Sequence, residues 1–350
     1  MSMKAKILEL LREKKDRVAA GAPESEAYVS GQELCEQFGV SRTAVWKAIG
    51  QLKKEGYVIE AVQNRGYRLL DQTEEVYNQA DIQSRLKTKW VAHPLLFFDS
   101  IDSTNIRAKL EAEQGAESGL LVVSDMQSAG RGRRGRGWES PAGINIYYTL
   151  MLKPDFSSDC APMLTLVMAL AVAKGIRQTL RRDSEEAAAK VGIKWPNDLV
   201  LSGRKVCGIL TEALPEPEGS LWVIVGIGIN VCQRREDFLP ELRETATSLS
   251  MIAGAEIDRA ALETALLEEL ESLRRELPQE TAERRQEYSA ACLNLGRRVR
   301  VLRPDGERSA LAVSLTPDYG LAVRYDDGTE EVLRSGEVSV RGLYGYTDKE

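Results

Sequence analysis

The sequence predicts an α+β chain in several domains, and three observations carry this. At roughly 100–200 residues per domain, 350 residues make two or three domains. In the middle of the chain strand-like runs outnumber helical ones and often follow one another directly, which suits a mixed sheet better than a doubly wound one. Near the end, short alternating segments are separated by turns.

Met3 to Arg17 reads as a helix, with Ile7, Leu8, Leu10 and Leu11 set among charges. A polar break, "AAGAPESEAY", follows. Ser30 is placed to cap a short helix over Gln32 to Phe38, and Gly39 permits a tight turn. Ser41 would cap a second helix over Arg42 to Glu55, in which Val45, Ile49 and Leu52 share a face. "YVIEAV" and "GYRLL" form a hairpin through "QNRG". Helix, turn, helix, hairpin is the winged helix-turn-helix pattern, whose second helix suits the DNA major groove. Six basic residues lie between Ser41 and Arg68 (Arg42, Lys47, Lys53, Lys54, Arg65 and Arg68), opposed only by Glu55 and Glu60. A locally basic segment in a chain of net charge −6 points to phosphate contact. Ser41, Arg42, Thr43, Trp46, Lys47 and Arg65 are the candidate DNA-binding residues. The competing interpretation is a small interaction domain with a solvated basic face.

Residues 1–70 thus form the first domain, and the acidic, polar residues 71–88 a linker. In the core, residues 89–292, "LLFFDS", "GLLVVSDM", "INIYYTLML", "VGIKW", "KVCGILTEAL" and "LWVIVGIGIN" read as strands. Leu164 to Leu180 and Arg259 to Leu277 read as helices. Residues 293–350 alternate in "RRVRVLRP", "RSALAVSL", "LAVRYDD" and "TEEVLRSGEVSV", as a small β barrel would.

Composition excludes several functions. Met1 to Ala20 is too charged for a secretory signal, and no run of about 18 apolar residues is apparent, so a cytoplasmic protein without membrane association is expected. The five cysteines, Cys35, Cys160, Cys207, Cys232 and Cys292, form no CxxC pair and read as free thiols. His93 is the only histidine and has no sequence partner for a zinc site; without GxSxG there is no serine for a triad either.

"QSAGRGRRGRGWESP", Gln127 to Pro141, is the most unusual stretch. Gly130, Gly132 and Gly135 match GxGxxG, but Trp138, Pro141 and a further strand follow where a dinucleotide fold needs a helix. Arg131, Arg133, Arg134 and Arg136 instead offer bidentate donors to carboxylate or phosphate, on glycines that let backbone approach a ligand closely. Such a loop should be mobile when empty and order when filled. An RGG-like nucleic-acid segment is the alternative. Its position between two apolar strands favours the anion loop.

"GRGRRGRGW", followed by "KWPND" and "GIGIN", resembles biotin protein ligase. With the winged helix-turn-helix in front, the chain is similar to the bifunctional form that is also the biotin operon repressor. The resemblance covers nearly the whole chain. It implies a class II synthetase-like core of the biotin/lipoyl ligase kind and a C-terminal SH3-like barrel. It also implies ATP and Mg²⁺ as cofactors, biotin as substrate and biotinyl-5′-AMP as intermediate and corepressor. The implied partners are the biotin carboxyl carrier protein, operator DNA with an inverted repeat, and a second copy of the chain when the adenylate is bound. Two cores are expected to pair along sheet edges, with "INIYYTLML" the candidate strand. A lipoate-type ligase and a ligand-sensing repressor with little catalysis remain the alternatives.

By the same resemblance, Ser103, Thr104 and Asn105 of "DSTN" line the biotin pocket with Gln127, although "DSTN" also reads as a helix N-cap. Arg131, Gly132 and Arg133 contact the ligand, and Arg133 and Arg136 reach the nucleotide. Trp138 packs near the adenine or anchors the loop. Lys194 binds phosphate or is a solvated strand end. Asn197 and Asn230 border the nucleotide, and Asp198 is the candidate Mg²⁺ ligand. Lys205 contacts carboxylate and activated phosphate, as a cation stabilising the transition state. Gly208, Gly226 and Gly228 let backbone lie flat against the bicyclic ligand. The implied catalytic set is Lys205, Arg131, Arg133 and Asp198.

Overall fold

In the computed structural model the described residues are all but 72–73, 154–160, 217–220, 275–281, 304–305, 335–338 and 343–350. Cys160 and the end of the helix expected to reach Leu277 lie outside them. The chain forms two compact units, Met1–Lys87 and Thr88–Glu350.

The first unit contains α1 (Met3–Ala19), α2 (Gly31–Phe38), α3 (Arg42–Lys54), the hairpin β1 (Ile59–Val62) and β2 (Gly66–Leu69), and α4 (Gln79–Arg85). Serines cap the first three helices. Ser2 Oγ accepts from Ala5 N at 3.3 Å, Ser30 Oγ from Glu33 N at 3.0 Å and Ser41 Oγ from Ala44 N at 3.2 Å. Gly39 closes α2 at φ 64°, where a side chain would be strained. Ile7, Leu8, Leu11, Leu34, Val45, Ile49 and Leu52 form the core. The 71–88 segment differs from the linker expected of it. Asn78 caps α4, and Asp81 and Ile82 are wholly buried. Asp81 pairs with Arg12 of α1 and with Arg85, and accepts from the Tyr57 hydroxyl at 3.2 Å. Asp71, Glu74 and Glu75 are exposed as a linker's would be, but the end of the segment is helical and its Asp81 is a buried ion-pair centre.

The second unit is built on a seven-stranded sheet of order β3-β4-β5-β9-β8-β7-β6. Its strands are β3 (Leu95–Phe98), β4 (Leu121–Ser124), β5 (Asn145–Leu152), β6 (Val191–Lys194), β7 (Asp198–Leu201), β8 (Arg204–Pro215) and β9 (Leu221–Asn230). Only β3 and β4 run parallel. α5 (Thr104–Glu113) lies on one face, its Ala108 and Ala112 against Val122, Met151 and Ile224. Successive strand residues alternate sides, so the opposite face carries Tyr148, Cys207 and Ile209, all buried. α6 (Ala161–Leu180) and α9 (Arg259–Arg274) pack together on that side, with α7 (Glu185–Ala189), α8 (Leu249–Ala253) and α10 (Ala282–Ala291) alongside in the chain.

Two expectations change here. β5 is interior, bonded to β4 and β9 along its length, so "INIYYTLML" offers no edge to a second copy. Met163–Leu180 is also long and apolar enough to cross a membrane by length and composition, but 78% of it is buried within the unit as a core helix.

In the C-terminal region, β10 (Arg298–Arg303), β11 (Gly306–Leu315), β12 (Leu321–Tyr325), β13 (Glu330–Leu333) and β14 (Ser339–Gly342) form an antiparallel sheet of order β13-β12-β11-β10-β14 where the SH3-like barrel was expected. This sheet does not separate from the core as a further unit. Trp195, 1% exposed, donates its indole N–H to Tyr319 O at 3.2 Å and its backbone N–H to Asn294 Oδ1 at 2.7 Å.

Candidate active site and DNA-facing helix

The site lies on the α5 face of the sheet, and strand register builds it. Asp198, Gly208, Gly228 and Tyr147 stand in one row across β7, β8, β9 and β5. Leu210, Gly226 and Thr149 form the next. The glycines clear a lane that two side chains fill. A Cβ on Gly226 would lie 2.0 Å from Asn105 Oδ1, and one on Gly228 2.6 Å from Trp138 Nε1. Trp138 also covers Gly208, 3.0 Å from where its Cβ would be. The flat surface expected to face the ligand directly is therefore shared with protein groups.

At the start of α5 the polar side chains form a continuous hydrogen-bond chain. Gln127 Oε1 accepts from Thr104 N at 2.9 Å and from Thr104 Oγ1 at 3.1 Å. Its Nε2 donates to Ser140 Oγ at 2.9 Å, and Ser140 donates to Trp138 O at 3.0 Å. Thr149 Oγ1 lies 2.8 Å from Thr104 Oγ1 and 2.7 Å from Asn105 Oδ1. Asn105 Nδ2 donates to Glu212 Oε2 at 2.8 Å, and Lys109 Nζ to Glu212 Oε1 at 2.7 Å. Ser103, Thr104 and Asn105 are all buried. Ser103 occupies the N-cap position but its side chain makes no capping bond, so capping does not account for "DSTN".

The arginine loop folds back on itself through Gly132 N to Arg136 O at 2.8 Å and Trp138 N to Gly130 O at 2.9 Å. Arg134 turns it at φ 57°. Arg131, Arg134 and Arg136 are exposed and Arg133 is half-buried, donating to Asn197 Oδ1 at 2.5 Å. Asn197 Nδ2 in turn donates to Ile209 O at 2.9 Å. Lys205 Nζ sits 2.7 Å from Asp198 Oδ1 and 5.2 Å from the Trp138 ring centre. Trp138 thus anchors the loop over Gly208 and Gly228, whatever else it touches. Arg133, Asn197, Asp198 and Lys205 converge.

Lys194 is 6% exposed, which removes the solvated strand end. Asn230 is buried and donates to Thr247 O at 3.1 Å. The donor set does not suit a resident metal. Among the described residues no group of three or more His, Cys, Asp or Glu is placed to hold one, and Asp198 already faces an ammonium.

Several site residues escape sequence reasoning. Glu212 sits on the same face as Gly208, two steps of alternation further along β8, and a charge at such an inward position is the signal that could have found it. Lys109, Thr149 and Ser140 complete the chain. Thr245 and Thr247 strap Lys205, exchanging backbone bonds of 2.8 and 2.9 Å with it, and nothing local in the sequence announces that.

On the first unit, Ser41, Arg42, Thr43, Trp46 and Lys47 form an exposed face of α3, Trp46 at 68%. Arg65 at the hairpin tip is exposed, its guanidinium 5.5 Å from the Tyr28 ring centre. Arg68 instead pairs with Glu24 and Glu60.

A model of the biotin/lipoate A/B protein ligase family matches residues 97–230, and a helix-turn-helix domain model matches residues 24–68. The bifunctional ligase/repressor BirA of Bacillus subtilis (strain 168) is 42% identical over 71% of this chain and 74% of its own. The protein of that name from Escherichia coli (strain K12) is 34% identical over 69% of this chain and 70% of its own. A biotin protein ligase from Aquifex aeolicus, solved with biotin and ATP, matches at a TM-score of 0.58 and 29% identity, covering 71% of this chain and 98% of that one. A mutant of it with biotin matches at 0.60 and 30%, with the same coverage. The two-unit order, the glycine lane and these similarities agree: the chain belongs to the biotin protein ligases, in their bifunctional ligase/repressor form.

Proposed function

We propose that the second unit activates biotin with ATP and transfers it, through biotinyl-5′-AMP, to one lysine of a biotin carboxyl carrier protein. The convergence of Lys205, Arg133, Asn197 and Asp198 beside a neutral polar pocket carries this reading. A free carboxylate does not acylate an amine at neutral pH, because oxide is a poor leaving group. A biotin carboxylate oxygen therefore attacks the α-phosphorus of ATP, and pyrophosphate leaves with the electrons of the broken P–O bond. The acceptor lysine, as free amine, then attacks the acyl carbon, AMP departs, and the amine loses its proton. Both steps gather negative charge, which fixed cations stabilise without reorganising. Lys205 stands where carboxylate and α-phosphate meet, held by Asp198 until the ligand takes that place. Arg131 and Arg133 neutralise the carboxylate and phosphates. Arg136, Lys194, Asn197 and Asn230 border the nucleotide. Ser103, Thr104, Asn105 and Gln127 supply the donors and acceptors that a ureido ring needs, with Gly132, Gly208, Gly226 and Gly228 giving close backbone approach. Mg²⁺ arrives as the counter-ion of ATP rather than as a resident metal.

The first unit then reports the intermediate to DNA. With carrier protein scarce, the adenylate persists, two copies associate, and paired winged helices match an inverted-repeat operator. Such proteins work in the cytoplasm, where carboxylases and operator are found. ATP–pyrophosphate exchange is the test. Exchange that requires biotin, and not lipoate, is expected. Exchange with lipoate would make this a lipoate-type ligase, and none with either a sensor without catalysis. Operator binding should tighten with biotin plus ATP and weaken again on adding carrier protein; indifference to all three would end the corepressor reading.

A further inference from the structure

Glu212 accepts from Asn105 on one oxygen and from Lys109 on the other. A carboxylate can only accept. Its presence therefore decides which end of the Asn105 amide faces it: Nδ2 toward Glu212, and Oδ1 toward Thr149 and Gly226. That choice propagates, since Thr149 Oγ1 can donate to Asn105 Oδ1 only while Oδ1 points that way. From Lys109 through Glu212 and Asn105 to Thr149, the donors and acceptors then have one defined sense.

We infer that Glu212 is a positioning residue that fixes the Asn105 amide so that an oxygen, not a nitrogen, is presented at the pocket floor, and that this sets the pocket's preference for a ligand offering N–H groups there. The inference rests on the reading of Ser103, Thr104, Asn105 and Gln127 as the biotin pocket. Burial would raise the Glu212 pKa, but the bonds from Asn105 and Lys109, with the charges of Lys109 and Arg131, outweigh it and hold the group ionised. Asn105 and Thr149 are 4% and 0% exposed, so water cannot replace a misdirected bond.

Glu212→Gln separates orientation from shape. Its volume is unchanged, but the new amide has one oxygen for two donors. The Lys109 ammonium takes that oxygen, the NH₂ turns to Asn105, and Asn105 must flip. Biotin affinity of the full chain, measured by calorimetry, should fall roughly tenfold or more, while ATP affinity without biotin holds. Exchanging the pair, E212Q with N105D, restores an acceptor at the floor and a donor–acceptor match behind it. Affinity should return to within about threefold of the parent. Parental affinity in E212Q, or no recovery in the exchanged pair, overturns the inference. Should E212Q melt early, the exchanged pair carries the test alone, since it must fold and bind. Asn105→Ala tells the two failures apart. Parental biotin affinity in that variant removes the pocket reading itself, whereas loss there with none in E212Q removes only the role of Glu212.

Discussion

Lys205 Nζ and Asp198 Oδ1 stand 2.7 Å apart across neighbouring antiparallel strands, and a bulge between Leu199 and Val200 brings them together. Without the irregular register Lys205 would oppose a different residue. Lys205→Ala should reduce the rate of adenylate formation roughly 10²- to 10³-fold, the size expected for removing a fixed charge from a transition state. The fold should survive within about 1 kcal/mol, because the pair is partly exposed. Pyrophosphate exchange and thermal melting, run on the same samples, check both. Parental exchange would remove Lys205 from the mechanism.

Gly226→Ala places a methyl 2.0 Å from Asn105 Oδ1, within a bonded chain that has no slack. Overpacking of this kind costs about 1–3 kcal/mol, and the Asn105 amide should be displaced with it. Calorimetry should show biotin affinity lower by roughly tenfold. Gly137→Ala is the comparison, since nothing lies within 4 Å of its Cβ; it should bind biotin as the parent does.

On the first unit the expected DNA contacts are specific. Lys47→Ala should weaken operator binding at every sequence and lower the salt dependence by about one unit of slope. Arg68→Ala should do neither, because that guanidinium is bound to Glu24 and Glu60. Ligase activity should be untouched in both. A loss in Arg68→Ala with none in Lys47→Ala would mean that the hairpin base, not α3, faces the phosphates.

The carboxyl of Glu212 is held below its ordinary value of 4.5, despite burial, by Asn105, Lys109 and Arg131. A depressed pKa means that the stabilisation is complete above the unfolded value and is lost as pH falls through the folded one. Biotin affinity, which needs Glu212 ionised in the folded protein, should therefore stay level from neutral pH to below 4.5 and drop only as pH falls through the lower folded-state value. Quenching of tryptophan fluorescence by biotin follows this directly. A step near pH 6 would point to another group.

The parts of the fold that periodicity and caps govern were legible. Ser30, Ser41 and Gly39 fix the first unit's helices locally, and β8 and β9 announce themselves as long apolar runs. What could not be read depends on partners distant in sequence. Asp81 looks like a linker acid because Arg12 lies 69 positions away. "INIYYTLML" looked available as an edge because strand order is a property of the whole sheet. In the site, the candidate residues Arg133, Asn197, Asp198 and Lys205, which the structure brings together, came from motifs, which carry chemistry in a few adjacent letters. Glu212, Thr149 and Lys109 did not, because their roles exist only once β8, β5 and α5 are side by side.

Trp195 sits between Lys194 and the pair Asn197–Asp198, with its indole seated on Tyr319. Every cation and carboxylate of the site is translated well before the residue that supports this ring. A chain emerging from the ribosome therefore holds all the candidate site residues for some time without the seat that steadies the turn from Lys194 at the end of β6 to Asp198 at the start of β7. The late-made sheet thus supplies the last support of the site, after every residue that it steadies has been translated.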